Sequence, residues 1–321
     1  MARSKRRSHT SSLLKLQFNF PTAANPNFPT NYGVIDVAQC LSLASRRFYR
    51  QGMCYNIVGF KVISDSDTGT GRVDVSTVPT TWVASGAWQK SFSLWNRMND
   101  QALDIDPSIK PKFHDFKFYL DEEHLDLQTS EGLSDGNTFP LESGYAATNA
   151  EWLYSKIQIP NDVAPGNTVE HTLHMCGPEL PARSMPMIGG YEESRAVPQS
   201  PDPTLNNPST GWMNQLFNDG DNLPEITNVL ENDNDELPYD QLNYPGGAVL
   251  APYAQVASEC VISATTIGKE SYMNGCLAYG GLLKVSNSLT GNEADSGFGL
   301  IVYLSPGNYK GIDARPMQEV N

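Results

Sequence analysis

The chain has no stretch approaching the roughly 20 consecutive apolar residues that cross a bilayer. It also lacks the apolar run of about 7 to 15 residues that marks a secretory leader. Its start, MARSKRRSHTSSLLKLQFNF, is basic, but Lys15, Gln17 and Asn19 break the apolar positions into strand-like alternation. The five cysteines (Cys40, Cys54, Cys176, Cys260 and Cys276) form no C-x-x-C pair, and their odd number leaves at least one without an intrachain partner. Reduced core or surface thiols are expected, not a disulfide framework. The one Asn-x-Ser match, at Asn207, has Pro208 in the middle and is no glycan acceptor. No G-x-S-x-G, H-E-x-x-H or dinucleotide fingerprint occurs. These absences predict a protein made and assembled inside a cell, without a membrane anchor.

What is present is turn chemistry and apolar alternation. The 321 residues suffice for a sizeable core, and 26 Gly with 22 Pro imply many turns and few long helices. Charge is divided unevenly. Residues 1–64 hold nine of the 22 Lys/Arg and one of the 36 Asp/Glu, a balance of +8 that leaves −22 for the remainder and −14 overall. A net charge of that sign repels phosphate at short range, but the split suits a chain whose two parts face different surroundings, one polyanionic and one bulk solvent. The first dozen residues form a polar basic arm with nothing to bury and are expected to be disordered in isolation.

Leu14, Leu16, Phe18 and Phe20 alternate with polar residues and predict an opening strand that Pro21 ends. From Asp36 to Gln51 the apolar positions Val37, Ala38, Leu41, Ala44 and Phe48 recur at helical spacing, with Asp36 as N-cap and Gly52 past the end. Arg46, Arg47 and Arg50 fall in its last turns, where cations suit the helix dipole. Trp88, Phe92, Trp95 and Met98 predict a second helix over about 86–102. Eight further strands are expected: Tyr55–Ser64, Arg72–Val78, Lys112–Leu120, Glu151–Ile159, Thr168–Cys176, Ala254–Ala264, Cys276–Val285 and Gly299–Leu304. They are separated by insertions of very uneven length, with no internal repeat. Antiparallel strands with long, variable connections suit an all-β fold, an eight-stranded jelly roll (a double-sheet antiparallel sandwich) carrying short helices and long surface loops. The expected organisation is a basic arm over 1–12 and one domain over 13–321. The longest insertion, about 185–250, is rich in Pro, Asn, Asp and Gly, carries eleven acids between Glu192 and Asp240, and is read as a surface lobe. Within it, short helices near Trp212–Phe217 and Pro224–Leu230 are expected, and Trp212, Tyr239 and Tyr244 are candidate aromatic anchors.

Several constellations invite chemistry. His171 and His174 in HTLHMC lie three apart on an expected strand and point to opposite faces, which does not suit a shared metal. In FYLDEEHLDL, which His114 and His124 flank, Asp121, Glu122 and Glu123 offer the paired carboxylates of a glycosidase; a solvated strand end and turn is the favoured explanation. ENDNDE (Glu231–Glu236) and NDGDN (Asn218–Asn222) carry oxygens enough for calcium but lack EF-hand spacing, so no cofactor is expected. DSDTGTG (Asp65–Gly71) lacks the Gly-Lys-Ser/Thr ending of a phosphate loop and reads as a hairpin turn. RSKRR is readable as a nuclear-import signal, a genome-binding arm or a solvated tail.

At FYRQGMCYNIVGFKV, followed by VDVSTVPTTWVASGAWQKSFSLWNRMNDQ, the chain resembles capsid proteins of circular, Rep-encoding single-stranded DNA viruses over about Phe48 to Gln101. The basic start and the late strand GFGLIVYLSPG are compatible with that resemblance. It implies a virion protein, assembled in the host nucleus or cytoplasm, forming a homo-oligomeric icosahedral shell around single-stranded DNA. Arg3, Lys5, Arg6 and Arg7 are then expected against the genome. The arm is shorter than in many such proteins, which makes Arg46, Arg47 and Arg50 candidates for further inner-wall charge; helix-end capping or subunit salt bridges explain them as readily. A host receptor is a further implied partner that the sequence does not identify. The competing expectation, of a different class, is a β-sandwich carbohydrate-binding protein or a glycosidase using the carboxylates near Asp121–Glu123.

Overall fold

We describe residues 14–20, 32–64, 70–110, 115–130, 152–160, 168–180, 183–194, 213, 253–263, 265–290 and 298–320 of the computed structural model. They are mostly β. The first sheet contains β1 (Lys15–Phe20), β3 (Met53–Ser64), β9 (Glu270–Tyr279), β11 (Phe298–Leu304) and β13 (Ala314–Pro316). β3 is its spine. β11 and then β13 run antiparallel along one edge of β3, β9 runs along the other, and β1 closes the far side of β11. The second sheet takes the order β2 (Tyr32–Asp36), β10 (Leu282–Thr290), β4 (Thr70–Thr77), β8 (Gln255–Ser263), all antiparallel. The two sheets pack as a sandwich.

The alternation read from the sequence is what fills it. Leu16, Phe18 and Phe20 of β1 are buried while Lys15 and Asn19 are exposed. They meet Tyr55, Ile57, Phe60 and Val62 of β3, Val73 and Val75 of β4, and Leu300, Val302 and Leu304 of β11 in one core, where Phe20 stacks on Phe298 at 4.7 Å between centroids. Each such side chain contributes about 1.5 to 3 kcal/mol when fully buried. Midway, β3 bulges at Val58, so Ile57 and Phe60 both face inward although three residues apart. The bulge brings backbone onto Gly275 of β9, where a Cβ would stand 2.0 Å from the Ile57 carbonyl oxygen.

Between β4 and β8 the chain builds a second layer. It comprises α2 (Trp82–Ile105), α3 (Glu122–Ser130), α4 (Met187–Glu193) and a small sheet of β5 (Lys156–Pro160), β6 (Thr168–His174) and β7 (Ser184–Pro186). Its own core joins Val83, Ala87, Trp88 and Leu94 of α2 to Phe116, Phe118, Ile157, Leu173, Met185 and Ile188. Trp88 stacks on Phe92 at 4.9 Å, as their helical spacing implies. α2 starts a turn earlier than expected because Thr81 caps it through Ala84 N–H, 3.3 Å. No helix among the described residues is long and apolar enough to cross a membrane.

Other expectations are corrected. α1 spans only Val37–Ser45, not Asp36–Gln51, although Asp36 is its N-cap. The expected strand Cys276–Val285 is two strands in different sheets, broken where Gly280 and Gly281 take φ of 65° and 70°. Residues 115–120 form no ladder strand; they run beside β6 with a single bridge, Tyr119 to His174. β3 and β4 belong to different sheets, so DSDTGTG joins the two layers and is no hairpin turn; residues 65–69 themselves lie outside the described residues. The long insertion does not begin as surface, since Met185, Met187 and Ile188 are buried. Met213 is buried too, while the rest of it from 195 to 250, including Trp212, Tyr239 and Tyr244 and the helix expected at Pro224–Leu230, lies outside the described residues.

Replacing Gly275 by Ala forces its Cβ into the backbone of the β3 bulge, which no side-chain rearrangement relieves. We expect Gly275→Ala to destabilise the fold by about 3 kcal/mol or more, read as a lowered urea midpoint or loss of soluble protein. Wild-type stability in that variant would show the bulge contact is wrong.

Candidate nucleic-acid interface

Arg46, Arg47 and Arg50 lie in the segment between α1 and β3, beyond the helix in which they were expected. Two serines bond around the last turns of the helix. Ser42 Oγ donates to the Ala38 carbonyl (2.7 Å) and accepts from Tyr49 N–H (2.8 Å), while Ser45 Oγ donates to the Leu41 carbonyl (2.5 Å). Arg46 is the C-cap, in the left-handed region at φ 55°. The backbone from Tyr49 to Gln51 is held by side chains. Arg50 N–H donates to Tyr309 Oη (3.1 Å), Tyr55 Oη donates to the Arg50 carbonyl (2.7 Å), and Gln51 N–H donates to Asp115 Oδ2 (3.1 Å). Arg46, Arg47 and Arg50 are all exposed.

A fourth cation comes from the other end of the chain. β12 (Pro306–Tyr309) and β13 are joined by a turn at Lys310 and Gly311, with φ of 52° and 95°. Lys310 Nζ donates to the Phe48 carbonyl and sits over the rings of Tyr49 and Tyr309, 5.2 and 5.3 Å from their centroids. Burial and the neighbouring Arg50 and Arg47 cations hold the Lys310 amine below its ordinary pKa, against the opposing pull of Asp115. Beneath the segment, Lys117 lies against Trp152 (4.6 Å) and Phe48 (5.7 Å), its pKa lowered by burial. Sequence reading missed Lys310 and Lys117: SPGNYKG was legible only as a turn, about 260 residues from the arginines it approaches.

Arg3, Lys5, Arg6 and Arg7 lie outside the described residues, but the point where the arm joins the sandwich does not. Leu304 N–H donates to the Leu14 carbonyl (2.9 Å), and the next residue, Ser305, opens the β12–β13 hairpin. Leu14, the first described residue, therefore meets the first sheet beside the hairpin that carries Lys310.

The segment is held from below by one buried carboxylate. Asp36 is fully buried; its Oδ1 accepts from Gln39 N–H, and its Oδ2 accepts from Gln51 Nε2 and Trp152 Nε1, each at 3.1 Å. The Gln51 amide also donates to the Phe118 carbonyl (3.1 Å) and accepts from Phe118 N–H (2.8 Å), standing in for a peptide group. Burial raises the Asp36 carboxyl to about 7, opposed by the Gln39 N–H, the Trp152 side chain, the Ala38 N–H and Lys117.

The other candidates are structural in their surroundings. Asp121 Oδ1 accepts from His124 N–H (3.0 Å) at the start of α3, Lys284 Nζ bonds Asp121 Oδ2 (2.8 Å), and the same amine pairs with Glu123. Two carboxylates sharing one lysine at a helix start form a cap and an ion pair. His124 Nδ1 accepts from Leu120 N–H (3.1 Å), leaving Nε2 for the Tyr154 hydroxyl (3.2 Å). His174 is buried between Ser184 Oγ (2.8 Å) and the Pro178 carbonyl (2.9 Å), with its pKa lowered by burial to about 4. His171 is buried separately. No group of three or more His, Cys, Asp or Glu able to hold a metal occurs among the described residues. The calcium candidates at 218–222 and 231–236, and His114, lie outside them. No family model, curated protein or solved structure matches the chain.

Asp36 sets a pH dependence. Its carboxyl titrates near 3.8 when unfolded and near 7 when folded, so the folded state binds the extra proton between those values. The Asp36 contribution is largest below the lower value and falls as pH rises toward about 7, by a few kcal/mol in order of magnitude, while His174, kept neutral by burial with its pKa lowered to about 4, contributes in the opposite sense as pH rises toward 6.5. Thermal melts of the wild type and Asp36→Ala at pH 5 and pH 7.5 isolate the Asp36 part. Asp36→Ala, which orphans three donors, should be less stable throughout and lose less stability, or gain more, as pH rises; an unchanged pH slope would assign the dependence elsewhere.

Proposed function

We propose that the chain is a viral capsid subunit that self-assembles into an icosahedral shell around a single-stranded DNA genome, with its basic end turned inward. The observation that carries this reading is the convergence of Arg46, Arg47, Arg50 and Lys310 with the root of the basic arm at one end of the sandwich, in a chain of net charge −14.

The sandwich supports it as an eight-stranded jelly roll. Taken in chain order, its eight long strands pair first with last, second with seventh, third with sixth and fourth with fifth: β1 with β11, β2 with β10, β3 with β9, β4 with β8. That nesting is one long hairpin rolled over itself, and the cross-pairs β3–β11 and β4–β10 complete its two sheets. Fold alone does not carry function, because jelly rolls also serve lectins and enzymes. The charge placement and the resemblance at Phe48–Gln101 select among these, and the resemblance alone supplies single-stranded DNA. Exposed Val58, Tyr272 and Leu277 on β3 and β9, with Val256 and Val261 on the edge strand β8, offer apolar surface that neighbouring subunits would cover.

Negative-stain microscopy and sedimentation test the reading directly. Megadalton particles are expected; a persistent 35.2 kDa monomer across salt and pH, above all one with a sugar-dependent thermal shift, would overturn it in favour of the carbohydrate reading. Deleting residues 2–8 should leave shells intact while lowering the nucleic acid they contain. Packaging unaffected by the deletion would remove the arm from the genome contact.

A further inference from the structure

We propose that the margin of the sandwich formed by β8, β9 and the turn between them (Ile267–Lys269) is a two-fold interface with a second copy of the chain, each copy presenting the same apolar surface to the other. Its role as a joint of the shell rests on the reading above; the pairing of two copies does not.

Three observations carry it. The first is where the exposed apolar side chains lie. Of the ten large ones exposed among the described residues, all but Leu14, Ile105 and Leu153 are on β8 or its approach, on the turn, on β9, or at Val58 of β3 beside β9. The register sets Leu277 opposite Asn56 and Tyr272 opposite Lys61, with Val58 between them on the same outer face. Val58 is 62% exposed and Tyr272 70%. The β3 bulge is what turns Val58 outward, and Gly275 leaves the backbone room for it. Apolar exposure concentrated in this way marks an interaction surface; singly scattered residues do not. The second observation is main-chain. Among the described residues β8 pairs only with β4 and β9 only with β3, so each leaves one edge without a neighbouring strand. The third is charge, and it selects the partner. Glu259, Lys269 and Glu270 are the charged residues of β8, β9 and their turn; Glu270 pairs with Lys61 at 2.7 Å, and Glu259 with Arg72, which also holds Asp74. Three cations and three acids balance to zero in a chain of net charge −14. Such a neutral surface draws neither a polyanion nor a basic partner, and it is where an acidic chain meets its own copy with least like-charge repulsion. The remaining exposed residues, Leu14 before β1, Ile105 at the end of α2 and Leu153 before β5, lie on separate elements. The described residues therefore offer no second patch for a head-to-tail contact, and the margin meets itself about a two-fold axis.

The test uses the full chain. Sedimentation velocity over a dilution series reads the concentration at which half of the protein is associated, as dimers or as particles. Leu277→Glu brings a carboxylate from each copy into the contact and should raise that concentration at least about tenfold, because like charges then meet across the interface. Ile105→Glu, at a side chain exposed at the end of α2, should leave it unchanged. Leu277 is exposed in the single subunit, so the thermal midpoint of dilute protein should hold; if Leu277→Glu fails to fold, Val58→Glu reads the same concentration. Wild-type association in the Leu277→Glu protein, or an equal loss in Ile105→Glu, would overturn the interface. So would a wild type that stays monomeric at every concentration, or one that floats with phosphatidylcholine vesicles in place of pairing. Microscopy of the same samples separates the two readings. Particles from Leu277→Glu at the wild-type concentration defeat the margin alone, and dimers weakened by Leu277→Glu with no particles from either protein defeat the shell alone.

Discussion

The structure depends on a carboxylate that cannot reach water. Asp36 sits between the end of β2 and the start of α1, fully buried, and its two oxygens collect donors from α1, from Gln51 and from Trp152. A buried acid is unfavourable by itself and tolerable only when its lone pairs are satisfied. That requirement reaches outward. It draws Gln51 inward, and Gln51 in turn binds both backbone groups of Phe118, so the sandwich core and the second core are joined through one side-chain amide. It also explains the early end of α1: a helix continued to Gln51 would not deliver that amide to Asp36 while burying Tyr49 against the β12–β13 hairpin. The arginine-bearing segment is ordered because its two ends are committed elsewhere.

Nested pairing is the second constraint, and it determines which parts of the chain become neighbours. Joining β1 to β11 places residue 15 opposite residue 303, so the first described residues and the last hairpin meet at one end of the sandwich. Contacts of such sequence separation incur loop-closure entropy before they return any stabilisation, which favours slow folding in which the local β9–β10 corner and α2 form ahead of the outer pairs. The same arrangement leaves β8 and β9 as the outer strands of their sheets. Exposed edges with apolar side chains are a hazard for a monomer and an opportunity for an assembly.

Much of this was legible in the residues. The alternation of Leu16, Phe18 and Phe20, the cap at Asp36 and the Trp88–Phe92–Trp95 stripe each has one dominant local cause, and each appears in the fold. What was not legible depends on partners distant in sequence. The stretch Lys112–Leu120 has strand composition, but Phe116 faces the α2 aromatics with Phe118 beside it, and the backbone finds β6 only briefly. Cys276–Val285 reads as one apolar run because both halves are rich in apolar residues, and only the paired glycines mark the corner. The nearness of Lys310 to the arginines was not legible because nothing local distinguishes a lysine in a turn; only the nested topology brings it toward Arg47 and Arg50.

The opposition between a net charge of −14 and a polyanionic partner dissolves once distance is considered. At physiological ionic strength exposed charges are screened beyond about 8 Å. A phosphate therefore responds to the few cations it touches and scarcely to the average over a 35.2 kDa subunit. Under the proposed shell reading, concentrating basic residues at one end while the rest stays acidic would serve two requirements at once: attraction on the side that meets the polymer, and repulsion between particles on the side that meets solvent. The spatial form of that division, an arm root and two strained basic turns meeting at one end of the sandwich, is what a sequence count of +8 against −22 expresses in one dimension.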